Sequence, residues 1–285
     1  MNDNSITDIR HHLEAQGISL KKRFGQNFLI DAAVRRRIAE TIMAEMAARE
    51  SAAGEVWEVG PGLGALTEEL LLREVKLRLF EIDRGIIRHL RDRYGDKLPI
   101  VEGDFIKTFP EYVAAVADDA APCPRAIVGN LPYHSASAMI ADIVESAIPA
   151  PCMVFLVQTE LAQRLGAVPG TKDYSALTVL VQSHFTVEQR FAVPAGAFYP
   201  RPRVGSSVVV MGQQAERPRK DLTGETSRIA RQAFSQRRKT LRNTLRDEVA
   251  LLDALGIDPG KRPEELSPAQ FRSLAAASLT RRSLK

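Results

Sequence analysis

A short polar run that follows an apolar segment carries the most specific chemistry in this chain. In "VGNLPYHS" (128–135), Asn130, Leu131, Pro132 and Tyr133 are consecutive, and we call these four residues the NLPY tetrad. Proline restricts the residue before it, so the Leu131 carbonyl takes a fixed direction near the Asn130 side-chain oxygen. Two such acceptors suit an amino group whose lone pair is delocalised into an aromatic ring, because they stabilise positive charge developing on the nitrogen. With the Tyr133 ring as a stacking face, the tetrad predicts a site for the 6-amino group of an extruded adenine; the alternative is an Asx turn beside a buried tyrosine.

A glycine-rich loop could supply the reaction partner. "EVGPGLGAL" (58–66) follows one apolar segment and opens a helical one, so its glycines permit a tight turn and close approach of a ligand. Gly60, Gly62 and Ala65 also satisfy the dinucleotide pattern G-x-G-x-x-G/A, with Glu81 and Asp83 about 20 positions further on. The loop by itself leaves a nicotinamide enzyme and a methyltransferase both open.

Neighbouring residues favour S-adenosylmethionine as the ligand. Glu58 could pair with a positively charged amino-acid moiety, and Pro61 removes one amide that would bind a pyrophosphate. Glu81 ends the second strand and could hold both ribose hydroxyls, while Asp104 ends the third and could accept from an adenine amino group. Ligands of open parallel sheets bind at the carboxyl ends of the strands, where Gly60, Glu81, Asp104 and Asn130 all fall.

The elements that must position these residues alternate along the chain. Five short apolar segments separated by helix-length intervals predict βαβ units and a parallel sheet: 56–60, 77–83, 99–104, 125–130 and 152–158. Two more strand-like segments, 184–193 and 206–212, are joined by a proline-rich loop and predict an antiparallel pair at the sheet edge. Beyond a polar linker at about 213, the patterns are helical. The fold class is therefore α/β, with a small all-helical C-terminal domain.

Composition bounds the setting of this chemistry. A chain of 285 residues accommodates one large and one small domain. Cys123 and Cys152 are too few for a disulfide framework and have no neighbours at metal-ligand spacing, so we expect no metal site and a reducing, cytoplasmic environment. The N-terminus lacks an apolar signal region and no apolar run approaches the ~20 residues of a membrane helix, so we expect a soluble protein.

The charge distribution favours a polyanion as partner of the C-terminal part. Residues 212–285 carry 16 Lys and Arg against 9 Asp and Glu, whereas residues 1–211 carry 23 against 26. The helical pattern of 227–248 places its arginines on one stripe, beside an apolar stripe of Ala230, Phe234, Leu241 and Leu245. The members of the basic stripe are Arg228, Arg231, Arg238, Arg242 and Arg246. Lys21, Lys22 and Arg23 form a second cluster on an N-terminal arm; the alternative for both clusters is a solvated face.

Several segments together carry a family resemblance that is far more specific than the glycine loop. They are "KKRFGQNFL" (21–29), "EVGPGLGALT" (58–67), "EID" (81–83), "GD" (103–104), "GNLPY" (129–133) and "FYPRPRVGSSV" (198–208). This set resembles the ribosomal RNA adenine N6,N6-dimethyltransferase family. The resemblance implies a Rossmann-like class I methyltransferase domain over residues 1–212, which binds S-adenosylmethionine and carries the basic arm, and a helical, basic RNA-binding domain over residues 213–285.

The resemblance also implies roles for particular residues. The cofactor-binding residues would be Asn27, Leu29, Gly60, Glu81, Asp104 and Asn130. The catalytic residues would be those of the NLPY tetrad, and RNA would contact Lys21, Lys22, Arg23, Arg231, Arg238 and Arg242. His134 departs from the uncharged residue expected after the tetrad, and we expect it to cap a helix rather than to catalyse.

The family has two branches, and the "NLPY" spelling with the basic "FSQRRKTLRNTL" segment resembles the first. That branch modifies two adjacent adenosines in a hairpin loop near the 3′ end of small-subunit (16S) rRNA, which predicts a ribosomal-subunit precursor as the partner of a monomeric enzyme. The second branch modifies one adenosine of large-subunit rRNA. A ribosome-assembly factor in which methylation is secondary is a further alternative, and a nicotinamide dehydrogenase is the most remote.

Overall fold

The computed structural model of the protein describes residues 27–49, 54–95, 98–117, 123–215 and 219–283. The basic cluster Lys21, Lys22 and Arg23 lies outside the described residues. The strands are β1 (Phe28–Leu29), β2 (Glu55–Val59), β3 (Leu77–Glu81), β4 (Ile100–Glu102), β5 (Pro124–Asn130), β6 (Cys152–Gln158), β7 (Phe185–Val193), β8 (Phe198–Tyr199) and β9 (Ser206–Gln213).

The helices alternate with the first six strands and then predominate. They are α1 (Ala32–Ala48), α2 (Ala65–Leu71), α3 (Arg84–Tyr94), α4 (Phe105–Ala117), α5 (Ala136–Glu145), α6 (Thr159–Leu165), α7 (Ala176–Gln182), α8 (Lys220–Phe234), α9 (Leu241–Thr244), α10 (Val249–Ala254) and α11 (Pro268–Ser283). None of the helices in the described part of the chain is long and apolar enough to cross a lipid bilayer.

Seven strands form one sheet in the order β4-β3-β2-β5-β6-β9-β7. The first five of these pair in parallel, and β9 runs antiparallel to β6. The predicted parallel sheet is therefore confirmed. The two strands predicted as an antiparallel pair at its edge, β7 and β9, do lie side by side there. Strand order reverses between β2 and β5, and the crevice beyond the carboxyl ends of two such strands is where open α/β sheets bind ligands.

Burial explains why these segments form central strands. β6, "CMVFLVQ", is buried at every position except its last residue, as expected for a strand covered on both faces. A separate two-stranded sheet pairs β1 with β8, joining Phe28 to Tyr199 and Leu29 to Phe198. This pairing attaches the first described residues to the 198–208 motif.

The chain divides into two compact units with separate cores. The first comprises the described residues within 1–139, 149–159 and 189–212 and contains most of the sheet. The second comprises residues 140–148, 160–188 and 213–285, and it includes two segments that the predicted boundary after residue 212 assigns to the first domain. Its core combines side chains from α8 and α11 with others from α7, α9, α10 and the turns between them. From 220 to 283 the backbone forms only helices and turns.

The predicted continuous helix over 227–248 is wrong. α8 ends at Phe234, and the N–H groups of Leu241 and Arg242 donate to the carbonyls of Lys261 and Pro259, at 2.8 and 2.9 Å, instead of continuing the helix. The arginines therefore do not share one helical stripe.

Arg228 in particular does not belong to a solvent-facing stripe. Its guanidinium donates to Glu225 and Glu248 at 2.8 Å, two carboxylates that are almost fully buried. Arg231 is more exposed and donates to Glu145 at 2.5 Å. Arg238 and Arg242 are exposed on the segment after α8.

Candidate active site

A cavity of about 500 Å³ lies in the first unit, at the carboxyl ends of β2, β3, β4 and β5. Its lining brings together every predicted cofactor and catalytic residue: Asn27, Leu29, Gly60, Glu81, Asp104, Asn130, Leu131, Pro132 and Tyr133. These residues come from segments as far apart as 27 and 133, so the sheet and the loops after its strands create the site.

The glycine loop forms one wall of the cavity. Gly60, Gly62 and Gly64 all have positive φ, between 57° and 83°, which side chains rarely adopt. A Cβ on Gly62 would also lie 3.1 Å from the Phe28 ring, so a larger residue there would disturb β1. The loop leads directly into α2, and Pro61 accepts at its carbonyl from the N–H of Gly64 at 3.0 Å.

Glu58 lies at the base of this wall and is 1% exposed. The hydroxyl of Thr67, in the first turn of α2, donates to Glu58 Oε2 at 2.7 Å. Burial raises the pKa of the Glu58 carboxyl to about 7; the Thr67 hydrogen bond opposes the rise and the charge of Glu81 adds to it. A cationic ligand group beside Glu58 would favour the ionised form.

The structure gives different roles to Glu81 and Asp83, the two acidic residues that lie about 20 positions after the glycine loop. Glu81 lines the cavity, and its Oε1 accepts from the N–H groups of Ile82 and Asp83, each at 2.9 Å. Burial raises the pKa of Glu81 to about 7, against the effect of these hydrogen bonds. Asp83 instead caps α3, accepting from the N–H of Gly85 at 2.8 Å. Glu81 is therefore the acid available to a ligand.

Asp104 follows β4 and lines the same cavity. One of its carboxylate oxygens, Oδ1, accepts from the N–H of Ile106 at 3.2 Å, which fixes the carboxylate at the start of α4. Ile82 and Ile106 also line the cavity, and both are unusually exposed for isoleucine, at 39% and 41%. Sequence reasoning missed these two residues; the available signal was an isoleucine shortly after each strand-end acid.

Each residue of the NLPY tetrad is held by a different contact. Asn130 Nδ2 donates to the backbone carbonyl of Asn27 at 2.8 Å, and the Leu131 N–H donates to the carbonyl of Leu156 at 3.1 Å. The Pro132 carbonyl accepts from the N–H groups of Ser135 and Ala136, at the start of α5. Tyr133 Oη lies 2.6 Å from Ser206 Oγ.

These contacts determine which acceptors remain for a ligand. Because Asn130 Nδ2 is committed to Asn27, its Oδ1 is the atom left to accept from a ligand. No donor among the described residues binds the Leu131 carbonyl. Two acceptors on adjacent residues therefore remain beside a half-buried aromatic ring.

The electrostatics of Tyr133 do not suit a proton acceptor. Burial raises the pKa of the Tyr133 hydroxyl above 10, and the Ser206 hydrogen bond only partly opposes the rise. His134 is exposed on the cavity lining. The predicted capping role of His134 has no cap hydrogen bond to support it in the described residues, where the Pro132 carbonyl accepts from the first N–H groups of α5 instead.

The strand order and the cavity at the strand ends define a class I S-adenosylmethionine-dependent methyltransferase. A family model described as ribosomal RNA adenine dimethylase matches residues 17–278. The chain belongs to the ribosomal RNA adenine dimethylase family, and it is accordingly an rRNA adenine dimethyltransferase with S-adenosylmethionine as its cofactor. The nicotinamide alternative is thereby excluded.

Curated relatives agree with this assignment. The chain is 42% identical over 257 residues to the ribosomal RNA small subunit methyltransferase A of Aromatoleum aromaticum, covering 88% of this chain and 91% of the relative. It is 40% identical over 282 residues to the protein of the same name from Burkholderia multivorans, covering 95% and 97%.

Two solved structures share the fold. A dimethyladenosine transferase from Plasmodium falciparum superposes with a TM-score of 0.63 at 23% identity, covering 84% of this chain and 96% of that one. The 23S rRNA methyltransferase ErmE superposes with a TM-score of 0.58 at 26% identity, covering 88% and 98%.

The cavity offers the space, the acceptors and the apolar surface that S-adenosylmethionine requires. The positive-φ glycines keep side chains off one wall, and two buried carboxylates with raised pKa values face a region that a cationic, hydroxyl-bearing ligand would occupy. Two exposed isoleucines supply an apolar surface for a flat ring. The residues present therefore fit the cofactor.

Proposed function

We propose that this protein dimethylates N6 of two adjacent adenosines in a hairpin loop near the 3′ end of small-subunit (16S) rRNA during subunit biogenesis. The curated relatives named above, at 40% and 42% identity over most of both chains, carry small-subunit names. The large-subunit enzyme ErmE is more distant, at 26% identity, which favours the small-subunit branch. A ribosomal-subunit precursor would be the partner of a monomeric, cytoplasmic enzyme.

The cofactor would be held by residues at the strand ends. S-adenosylmethionine supplies an electrophilic methyl group when it is bound. Glu58 would pair with the cationic amino-acid end, Glu81 would accept from the ribose hydroxyls, and Asp104 would accept from the adenine amino group. Asn27, Leu29, Gly60 and Asn130 would complete the contacts, with Ile82 and Ile106 against the adenine ring.

One observation carries the assignment of the catalytic residues: Asn130 Oδ1 and the Leu131 carbonyl are both free to accept beside the Tyr133 ring. The adenine amino group is a poor nucleophile because its lone pair is delocalised into the ring. Acceptors on its two N–H bonds would localise that lone pair on nitrogen and stabilise positive charge that develops there. Asn130 and Leu131 would therefore stabilise the transition state more than the bound substrate.

Tyr133 would hold the extruded base by stacking, and its hydroxyl would take no proton. A tyrosine whose pKa is raised above 10 is protonated at neutral pH, so it cannot serve as a general base there. Pro132 restricts the backbone of Leu131 and so fixes the direction of the Leu131 carbonyl. Methyl transfer leaves the nitrogen positively charged and strongly acidic, so its proton then passes to water without a protein base.

RNA would bind through the basic C-terminal residues and the N-terminal arm. Arg231, Arg238 and Arg242 are exposed on the second unit, where residues 213–285 carry the chain's excess of positive charge. Phosphate contacts by such residues depend steeply on salt because binding releases counterions. Lys21, Lys22 and Arg23 would contribute a second basic cluster from the arm of the methyltransferase domain.

The test uses small-subunit particles from ribosomes that lack the modification. Wild-type protein should transfer methyl groups to two adjacent adenosines, mapped by digestion and mass spectrometry, and should transfer none to already modified particles. Asn130→Ala should lower the single-turnover rate roughly 100-fold while RNA affinity changes less than threefold. Label on large-subunit rRNA instead would refute the proposed substrate.

The same variant distinguishes the enzyme from an assembly factor in which methylation is secondary. If a strain carrying only Asn130→Ala matures its small subunits normally, whereas a strain lacking the protein does not, methylation is secondary to assembly and the assembly-factor alternative is supported. If maturation stops although the variant binds precursor normally, methylation is required for release, and the assembly reading is rejected. If Asn130→Ala leaves the rate unchanged, the assigned role of the tetrad fails.

A further inference from the structure

Ser206 is the only hydrogen-bond partner that the described residues show for the Tyr133 hydroxyl, and it comes from a motif to which sequence reasoning gave no chemical role. The two oxygens lie 2.6 Å apart and are separated by 73 residues in sequence. Ser206 is 1% exposed, whereas Tyr133 is half-buried. The fixed end of this hydrogen bond is therefore the serine.

The backbone at Ser206 is itself tightly placed. Ser206 begins β9 opposite Gln158 of β6, and the preceding carbonyl, of Gly205, accepts from the N–H of Thr159 at 3.0 Å. β6 also pairs with β5 at Leu156 and Asn130. The strand that carries the acceptor Asn130 and the strand that carries Ser206 are thus both joined to β6.

Tyr133 lies in the turn between β5 and α5, so it belongs to neither the sheet nor the helix. A stacking face helps transfer only when the base it supports stays aligned with the acceptors Asn130 Oδ1 and the Leu131 carbonyl. The Ser206 hydrogen bond fixes the far end of the ring, opposite its attachment to the backbone. The ring is then held at both ends.

We propose that Ser206 is a positioning residue for methyl transfer, acting through the Tyr133 hydroxyl to hold the ring against the extruded adenine. This inference rests on the proposed stacking role of Tyr133. In this role the tyrosine hydroxyl acts as neither an acid nor a base. Its hydrogen bond to Ser206 of β9 fixes the position of the ring.

Ser207 provides a matched control in the same strand. It is also fully buried, and side chains alternate across a strand, so its hydroxyl faces other partners. Ser207 Oγ lies 3.1 Å from Thr159 Oγ1 and 3.0 Å from Gln189 Nε2. Ser207→Ala therefore removes a buried hydroxyl of the same kind without touching Tyr133.

The experiment measures single-turnover methyl transfer, RNA affinity and urea unfolding for five variants: Ser206→Ala, Ser207→Ala, Tyr133→Phe, Tyr133→Ala and the double variant Ser206→Ala/Tyr133→Phe. We expect Ser206→Ala and Tyr133→Phe each to lower the rate at saturating RNA roughly three- to tenfold, and the double variant to lower it no further, because both changes break one hydrogen bond. Ser207→Ala should keep the wild-type rate within twofold.

The urea midpoint and the single-turnover rate should change differently across these variants. Tyr133→Phe leaves the buried Ser206 hydroxyl without its partner and should lower the urea midpoint, which the double variant should regain because both polar groups are gone. The rate of the double variant should stay low. A merely structural role for Ser206 predicts instead that the rate follows the urea midpoint in every variant.

The outcomes distinguish this inference from the proposed function. Tyr133→Ala should lower the rate roughly 100-fold if the ring stacks on the base. If Tyr133→Ala has that effect while Ser206→Ala matches Ser207→Ala, the positioning role is refuted and stacking stands. If Tyr133→Ala keeps the wild-type rate, stacking itself fails, and the role of Ser206 fails with it.

Discussion

Replacement of Glu58 by glutamine should remove the pH dependence of stability that this buried carboxyl causes. Glu58 is 1% exposed, and burial raises its pKa from 4.5 to about 7. Between these values the folded protein retains a proton that the unfolded chain has released. The stabilisation from this proton is therefore complete below about pH 4.5 and is lost as the pH rises through about 7.

The size of the effect follows from the two pKa values. The rise in the pKa of Glu58 from 4.5 to about 7 means that ionisation of this carboxyl costs about 3 kcal/mol of stability at alkaline pH. A neutral side chain at the same place would not have this cost. Glutamine has nearly the same shape, stays neutral, and its amide oxygen can still accept the Thr67 hydroxyl. We expect Glu58→Gln to match the wild type near about pH 4.5 and to be more stable by about 3 kcal/mol near pH 8.

Urea unfolding followed by tryptophan fluorescence provides the assay. Trp57 is the single tryptophan of the chain, lies next to Glu58 in β2, and is fully buried, so it reports unfolding of the first unit. Glu111→Gln removes the same charge from an exposed position on α4 and should leave the profile unchanged. If the free energies of unfolding of wild type and Glu58→Gln differ by the same amount at every pH, the reasoning is refuted.

Cofactor binding gives a second readout of the same carboxyl. If Glu58 pairs with the cationic end of S-adenosylmethionine, calorimetry should show affinity rising with pH through about 7 in the wild type. Glu58→Gln should remove most of this increase of cofactor affinity with pH. An unchanged pH dependence in the variant would place the cationic group elsewhere.

Three further changes test other parts of the molecule. Asp104→Asn keeps an oxygen that can cap α4 but turns an amide NH2 group toward the cavity. Calorimetry should therefore show cofactor affinity about tenfold weaker, with RNA affinity unchanged, and equal cofactor affinity would show that Asp104 is not part of the site. Gly129→Ala should lower the free energy of unfolding by more than about 2 kcal/mol in urea, because its Cβ would overlap the Val59 carbonyl oxygen; a wild-type midpoint would show that β2 and β5 separate easily. Replacing three exposed arginines of the second unit by glutamine should weaken RNA binding and reduce the slope of log affinity against log salt by about 2–3; an unaltered slope would identify them as merely solvated. These arginines are Arg231, Arg238 and Arg242.

The strands and the strand-end residues were predictable because each leaves a local signal. The seven sheet segments are short apolar runs, and the acids and the amide that line the cavity stand where those runs end. Sequence analysis assigned Glu81, the last residue of β3, to the cofactor but gave Asp83, two residues later, no separate role. Only the fold shows that Asp83 caps a helix while Glu81 lines the cavity.

The contacts of the NLPY tetrad were not predictable, because their partners are remote in sequence. Nothing near Asn130 indicates that its amide binds the carbonyl of Asn27, and nothing near Tyr133 indicates Ser206. The break after Phe234 was missed for a different reason. Leu241 comes seven residues after Phe234, so the apolar period continues through a turn whose N–H groups bind carbonyls from another segment.

The different sequence separations of these contacts imply an order of assembly. The cavity wall that includes Glu58 and Thr67 closes over 9 residues, whereas the tetrad is tied to Asn27 across 103 residues and to Ser206 across 73. Longer loops cost more entropy to close, so the wall should form early in folding and the tetrad late. During synthesis from the N-terminus, the residues that we assign to the cofactor are all made by residue 130, but Tyr133 has no hydrogen-bond partner for its hydroxyl until residue 206 is added. A nascent chain would thus acquire its methyl-donor pocket before it acquires a fixed surface for the base.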